Sequence, residues 1–299
     1  MISIIDIGSN TVRMNVYQEN EDGFRLLFSS KEMAGLVAQI ENNQLLEAGL
    51  SNLIRILKIF KETIDTLNIK QVYPFATASL RSIENSQEVL QIIKEETGFD
   101  IDLIDGYEEG NLGVIGALDY QVIDKAVLID LGGGSCEVVP FENKEVITSD
   151  SYPIGSLSLY KNFVSQLLPS KLERKQIKSF VKETIDAKKI KKDEFKNVIG
   201  VGGTMRAILK LQQYLDESYK NSNILTVQHL KKLLKQLGDG SKESQDIILK
   251  VVPDRIHTLL PGMSAIVAIL EELGSTQTLV SKNGVREGYL IKNVLKRGS

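Results

Sequence analysis

A single cysteine, Cys136, stands among the 299 residues, which excludes an internal disulfide framework. There is no CxxC pair and no cluster of His and Cys, so the usual structural zinc sites are excluded as well. No run approaches the roughly 18 apolar residues of a membrane span, and the chain opens on a strand pattern rather than a basic segment followed by an apolar one. A cytoplasmic protein without a membrane partner is expected. Neither sign of charge dominates: 36 basic residues against 39 acidic ones leave a net of −3. That balance disfavours wholesale nucleic-acid binding and leaves room only for a local basic groove. No linker rich in Pro, Gly or Ser interrupts the chain. The composition, 42% hydrophobic and 25% charged, is globular, and the length allows two domains with a core each.

Two stretches follow one pattern. Ile4-Ile5-Asp6-Ile7-Gly8-Ser9-Asn10-Thr11 and Leu128-Ile129-Asp130-Leu131-Gly132-Gly133-Gly134-Ser135 each run from an apolar strand to an aspartate, then through a glycine turn with a hydroxyl residue into a second strand. Glycine lets main-chain N–H groups approach an anion, and the aspartate can hold a divalent cation against the same phosphates. Two such loops facing across a cleft would grip a polyphosphate from both sides.

The first part reads as strands over 2–7, 12–18 and 24–30, a helix carrying Leu53, Ile54, Leu57, Phe60 and Ile64 at helical spacing, a strand over 72–76, a helix from about Ser86 to Gly98, a strand over 100–104 and a helix over 108–118. The second part starts alike, with strands over 126–131, 137–141 and 145–151 and a helical stretch over 157–168. A lysine-rich helical region follows, then a strand over 197–201 that ends in Gly202-Gly203-Thr204 and opens another helix. The recurrence implies duplication of one supersecondary unit, with a ligand site beyond the strand ends. The expected domains are 1–118 and 119–287, meeting at a short hinge over 118–124, and the C-terminal helix 288–299 is a candidate to complete the first.

Six motifs in order, Asp6-Ile7-Gly8-Ser9-Asn10-Thr11, Ala76-Thr77-Ala78-Ser79-Leu80-Arg81, Gly106-Tyr107-Glu108-Glu109-Gly110, Asp130-Leu131-Gly132-Gly133-Gly134-Ser135, Gly200-Val201-Gly202-Gly203-Thr204 and Gly284-Val285-Arg286-Glu287-Gly288, resemble those of the exopolyphosphatase and guanosine pentaphosphate phosphatase family over essentially the whole chain. The resemblance implies an α/β fold of two actin-like, ribonuclease-H-like domains, each a mixed sheet with flanking helices, around an interdomain cleft. It implies Mg²⁺-dependent release of the terminal phosphate from inorganic polyphosphate or from pppGpp. Family members often form dimers. Longer members carry a C-terminal helical domain with a His-Asp metal motif; with only His229 and His257, this chain resembles a short form.

Carried over by this resemblance, Glu109 is the catalytic glutamate that orients or deprotonates water, and Asp130 is the metal-associated aspartate. Asp6 is its counterpart in the first loop, and Glu137 on the outgoing strand is a third candidate for Mg²⁺. Gly8, Ser9, Asn10 and Thr11, then Gly132, Gly133, Gly134 and Ser135, match the phosphate loops, and Arg81 is expected near the phosphates. Gly203 and Thr204, with Gly202, resemble the adenosine loop of actin-like ATPases and would border the substrate path. Glu108 and Arg13 are weaker candidates, and Arg286 and Glu287 look structural as readily as functional. The segment 171–196 is a solvated basic face or a track for a long polyanion, whose binding would weaken with salt.

Three departures stand out. Apolar residues occupy the regions of Met33 and of Met263-Ser264-Ala265, where the family has arginine and an Arg-Ala-Asp element, so charge for gripping phosphate is expected to be lost. Cys136 replaces a hydroxyl residue and puts an oxidisable thiol beside the second loop. An exopolyphosphatase is the expectation. A pppGpp 5′-phosphatase, a non-catalytic sensor of guanosine polyphosphates or polyphosphate, and an actin-like sugar or acid kinase are the alternatives.

Overall fold

The computed structural model describes the chain except residues 22, 119–122, 186–193, 196 and 297–299. It divides into two compact units, Met1–Glu109 and Gly110–Ser299. The division falls inside a helix, short of the expected hinge at 118–124, most of which lies outside the described residues. The closing segment from 288 belongs to the second unit.

In the first unit, β1 (Ile2–Ile7), β2 (Thr11–Asn20) and β3 (Gly23–Met33) form an antiparallel meander. A hairpin of β4 (Ile40–Glu41) and β5 (Gln44–Leu45) turns on Asn42 and Asn43, both left-handed, and leads into α1 (Glu47–Thr66). Then come β6 (Gln71–Ala76), a single turn α2 (Ala78–Arg81), α3 (Ser86–Thr97), β7 (Asp102–Leu103) and α4 (Gly106–Ala117). Gly98 ends α3 at φ 77°, as its position after the apolar periodicity predicts. The sheet order is β3-β2-β1-β6-β7, with β6 and β7 parallel to β1. β1 therefore lies inside the sheet, which is why Ile2, Ile4, Ile5 and Ile7 are all buried instead of alternating. Leu53, Ile56, Leu57, Phe60 and Ile64 recur at helical spacing along α1 and close the core.

The second unit repeats the plan. β8 (Lys125–Leu131), β9 (Cys136–Glu142), β10 (Glu145–Val146) and β11 (Asp150–Tyr152) come first, then α5 (Ser156–Phe163) and α6 (Lys171–Thr184). Next are β12 (Val198–Val201), α7 (Gly202–Leu215), β13 (Ile224–Thr226), α8 (Val227–Leu237) and α9 (Lys242–Val251). The unit closes with α10 (Leu259–Glu272), β14 (Gln277–Val280) and α11 (Val285–Tyr289), which runs on into a π-helical turn at Leu290–Val294. The order is β10-β9-β8-β12-β14-β13, with β11 also on β9. As in the first unit, the opening strand pairs antiparallel with its successor and parallel with a later strand that follows helices.

Two expectations need correction. The strand over 145–151 is broken, because four steps from Val146 to Asp150 face three from Phe141 to Val138 on β9. Ile147 N–H still reaches the Pro140 carbonyl at 2.9 Å, but Pro140 has no N–H to return to the ladder. The helix over 157–168 stops at Phe163, and Ser165 beyond it donates its N–H and hydroxyl to Glu173 on α6.

Candidate active site

The chemistry-bearing residues sit at the C-terminal ends of parallel strands, where a βα sheet leaves loops and helix starts exposed to ligands. In the first unit Asp6 is the penultimate residue of β1. Gly8 N–H closes the following turn on Thr11 C=O at 3.1 Å. The Asn10 carbonyl accepts from Ala34 and Gly35, and the Ser9 carbonyl accepts from Val37. Among the described residues all peptides are trans, so N–H and C=O across each bond point in opposite directions. With the Ser9 carbonyl fastened behind, the Asn10 N–H is turned to the other side of the loop.

Arg81 ends α2, beside the end of β6. Its Nη1 donates to the Ile104 carbonyl at 2.8 Å and to Glu109 Oε2 at 3.2 Å. Glu109 stands in the first turn of α4, with its side chain 14% exposed, and Arg81 is 23% exposed. The guanidinium thus ties the β7–α4 junction to Glu109, which with Asp130 is expected to be catalytic. Asp105 accepts from the Glu108 N–H at 2.7 Å and starts α4. Arg13 lies opposite Asp6 on β2 and donates to Ser29 Oγ on β3.

In the second unit the loop is fastened the same way. Gly132 N–H bonds Ser135 C=O. The Gly132 carbonyl accepts from the Ser156 N–H and hydroxyl, and the Gly133 carbonyl from the N–H groups of Leu157 and Ser158, all at the start of α5. The first turn of α5 is thereby used up on the loop, and the N–H groups of Gly133 and Gly134 are directed away from the helix. Gly155 is required for this fit, since a Cβ there would overlap the backbone of Gly133 and Gly134. Gly202 has φ 87° and lies against the Asp130 carboxylate, where any side chain would be both strained and obstructed.

Asp130 faces Glu137 across the β8–β9 ladder. Glu137 is buried and accepts from Ser135 Oγ at 2.7 Å and Ser151 Oγ at 2.9 Å. Burial pushes its carboxyl up to about 7; the Asp130 charge adds to that, and the two hydroxyls oppose it. Ser135, expected on phosphate, therefore directs its hydroxyl at Glu137. Cys136 is fully buried, and burial together with both carboxylates pushes its thiol well up. The expectation of an oxidisable thiol is thus overturned, because the reactive thiolate is disfavoured there.

Arg255 was missed in the sequence. Its guanidinium lies against Gly203, its Nη1 is 3.4 Å from Thr204 Oγ1, and burial lowers its pKa. Met263, Ser264 and Ala265 are all fully buried in α10, an uncharged core position, while Arg255 before the helix lies against Gly203. Met33, by contrast, is exposed at the end of β3, paired with Thr11 of the first loop. Glu287 accepts from Gly284 N–H and caps α11, a structural task.

Residues 15–297 match the profile of the Ppx/GppA phosphatase family. The chain belongs to that family. It superposes on the crystal structure of the Aquifex aeolicus Ppx/GppA family member with a TM-score of 0.81 and 27% identity, covering 99% of this chain and 97% of that one. An exopolyphosphatase from Cytophaga hutchinsonii shares the fold with a TM-score of 0.84 at 22% identity, covering 99% and 98% of the two chains. These likenesses establish the α/β fold of two actin-like domains. A curated relative, the bifunctional 3-dehydroquinate synthase/phosphatase of Fusobacterium nucleatum, is 26% identical over 97% of this chain, which spans 46% of that protein's length. Among the described residues no helix is long and apolar enough to cross a membrane.

Proposed function

We propose that the chain is an exopolyphosphatase that removes terminal orthophosphate from inorganic polyphosphate. The observation that carries this is the Arg81–Glu109 pair, a largely buried carboxylate held in one orientation at a strand end. Phosphoanhydride hydrolysis is mostly positioning and charge stabilisation: water in line with phosphorus, and neutralised phosphate oxygens. Glu109 orients or deprotonates that water. Arg81 acts first on Glu109, fixing its rotamer. The N–H groups of Asn10, Gly133 and Gly134 receive phosphate oxygens, and Arg255 adds a guanidinium beside Gly203 and Thr204.

Asp130 and Glu137 would hold Mg²⁺. The fit rests on the half-buried Asp130 facing the buried Glu137, whose mutual repulsion a cation relieves. Among the described residues no group of three or more His, Cys, Asp or Glu is poised to hold a metal. Mg²⁺ characteristically takes one or two carboxylates and completes its shell with water and substrate phosphates, so two acids suffice. When bound it neutralises the phosphate oxygens.

The test is phosphate release by the native chain and by Glu109→Gln on long polyphosphate, tripolyphosphate and pppGpp, with and without Mg²⁺. Native turnover should be Mg²⁺-dependent and highest on polyphosphate, and Glu109→Gln should lose about 10²-fold or more in rate while still binding. Preference for pppGpp would shift the assignment to a guanosine pentaphosphate phosphatase. Equal turnover by both proteins would remove Glu109 from its role.

A further inference from the structure

Charge is segregated inside the second unit. α6 carries Lys171, Arg174, Lys175, Lys178 and Lys182 against Glu173 and Glu183, and α8 carries Lys231, Lys232 and Lys235 against no acid. Two helices thus bear a net +6 in a chain of net −3, leaving −9 for everything else. On α6 the lysines at 171, 175, 178 and 182 fall at i, i+4, i+7 and i+11, one stripe roughly 16 Å long. Beside it Ile177 and Val181 enter the core.

The two helices are brought together. Arg174 Nη1 donates to the carbonyl of Gly238, the residue after α8, at 2.8 Å. Lys182 and Lys231 bind the two oxygens of one carboxylate, Glu271 on α10, at 3.2 and 2.6 Å, and Lys182 also meets Glu272 at 3.3 Å. Those two acids are the counter-charge. Lys175, Lys178 and Lys232 have no ion-pair partner within 4 Å among the described residues; Lys178 is half-buried, with Glu271 the acid that acts on it and Lys231, Lys182 and Arg174 the opposing cations. Glu173 is spent on Ser165 and Ser170.

α10 relates this strip to the glycine loop of its own unit. Gly262, in the first turn of α10, packs against Ser156 and Thr204, and Ser156 bonds Gly132. Glu271 follows nine residues later along the helix, about 14 Å away. A short phosphate compound seated at the loop does not reach the strip, whereas an extended polyanion can touch both.

We propose that the lysine face of α6 and α8 is a second anchoring surface for long inorganic polyphosphate, separate from the loops that cleave it and responsible for a preference for long chains. This rests on the exopolyphosphatase assignment above. Repeating unit charges on a flexible chain match a lysine stripe that offers point charges without fixed geometry.

The test uses the full-length chain. Lys175→Glu/Lys232→Glu reverses two exposed charges, and Lys178→Gln is made separately in case the pair disturbs folding. Steady-state phosphate release is measured on polyphosphate of several hundred units and on tripolyphosphate over a salt series. Both variants should raise KM for the long chain, the charge-reversal pair by roughly tenfold, at unchanged kcat and with a shallower salt dependence, while tripolyphosphate kinetics stay as in the native protein. Binding of labelled long polyphosphate and of single-stranded RNA is measured in parallel on Glu109→Gln, alone and combined with each variant. Unchanged long-chain binding in the variants overturns the proposal, as does RNA binding tighter than polyphosphate. If the native chain releases no phosphate from any polyphosphate, the enzyme assignment fails by itself, and the binding arm still decides the strip.

Discussion

Truncating Arg81 separates two roles that its position permits. In Arg81→Ala the Ile104 carbonyl loses its 2.8 Å donor and Glu109, 14% exposed, loses its counter-charge at 3.2 Å. One hydrogen bond to a backbone carbonyl and one largely buried ion pair together amount to about 2–3 kcal/mol, readable as a lower midpoint in urea unfolding. If Arg81 works by holding Glu109, kcat falls about 10²-fold, the scale of losing a positioned group, and KM for polyphosphate barely moves. Arg81→Lys should recover little, because one ammonium cannot span both acceptors as the guanidinium does. The decisive comparison is the double variant Arg81→Ala/Glu109→Gln in single-turnover phosphate release. It should be no slower than Glu109→Gln alone, since the guanidinium has nothing left to orient. Multiplying losses with KM raised in both backgrounds would refute this and put Arg81 on the substrate phosphates instead.

Gly155→Ala drives a methyl into the Gly133 backbone, so it should reduce phosphate release by about 10²-fold, with binding of polyphosphate weakened; unchanged kinetics would mean the loop tolerates displacement. Met263→Arg, which would restore a charge at that position, should cost more than about 3 kcal/mol in thermal or urea unfolding, because the site is fully buried in α10. Glu173 accepts from Ser165 and Ser170, and its carboxyl is held at about 2, below the ordinary 4.5. Its folded pKa is depressed, so its stabilisation is present above pH 4.5 and disappears as pH falls towards 2. Glu173→Gln should accordingly lose about 1 kcal/mol at pH 7, with the gap to the native protein closing in acid.

Local sequence was a good guide where one strand or one turn suffices. β1, β8, β9, α1 and the glycine stop of α3 lie within a few residues of their expected places, because apolar periodicity and glycine chemistry act over neighbouring residues. The Asp-Gly loops were equally plain. Between residue 216 and the expected C-terminal helix at 288, elements such as β13 and α8 have no counterpart in the sequence reading. The break between β10 and β11 also escaped, since it depends on Pro140 across the ladder. Arg255, Gly155 and Ser151 escaped for the same kind of reason: they act on Gly203, Gly133 and Glu137, which lie 52, 22 and 14 positions away in the chain.

The order of residues alone determined that two Asp-Gly turns would end two buried strands, because strand burial, turn formation and glycine's freedom are decided by adjacent residues. Only the folded chain decided which way the turns face. Their carbonyls are captured from behind by the residues after β3 and by the start of α5, which sends the intervening amides forward. The folded chain also closed Arg81 on Glu109, buried Cys136 and Met263, and gathered the lysines of α6 and α8 round one glutamate. Each of these depends on groups far apart in sequence, whose proximity is set by sheet order and core packing rather than by any local preference.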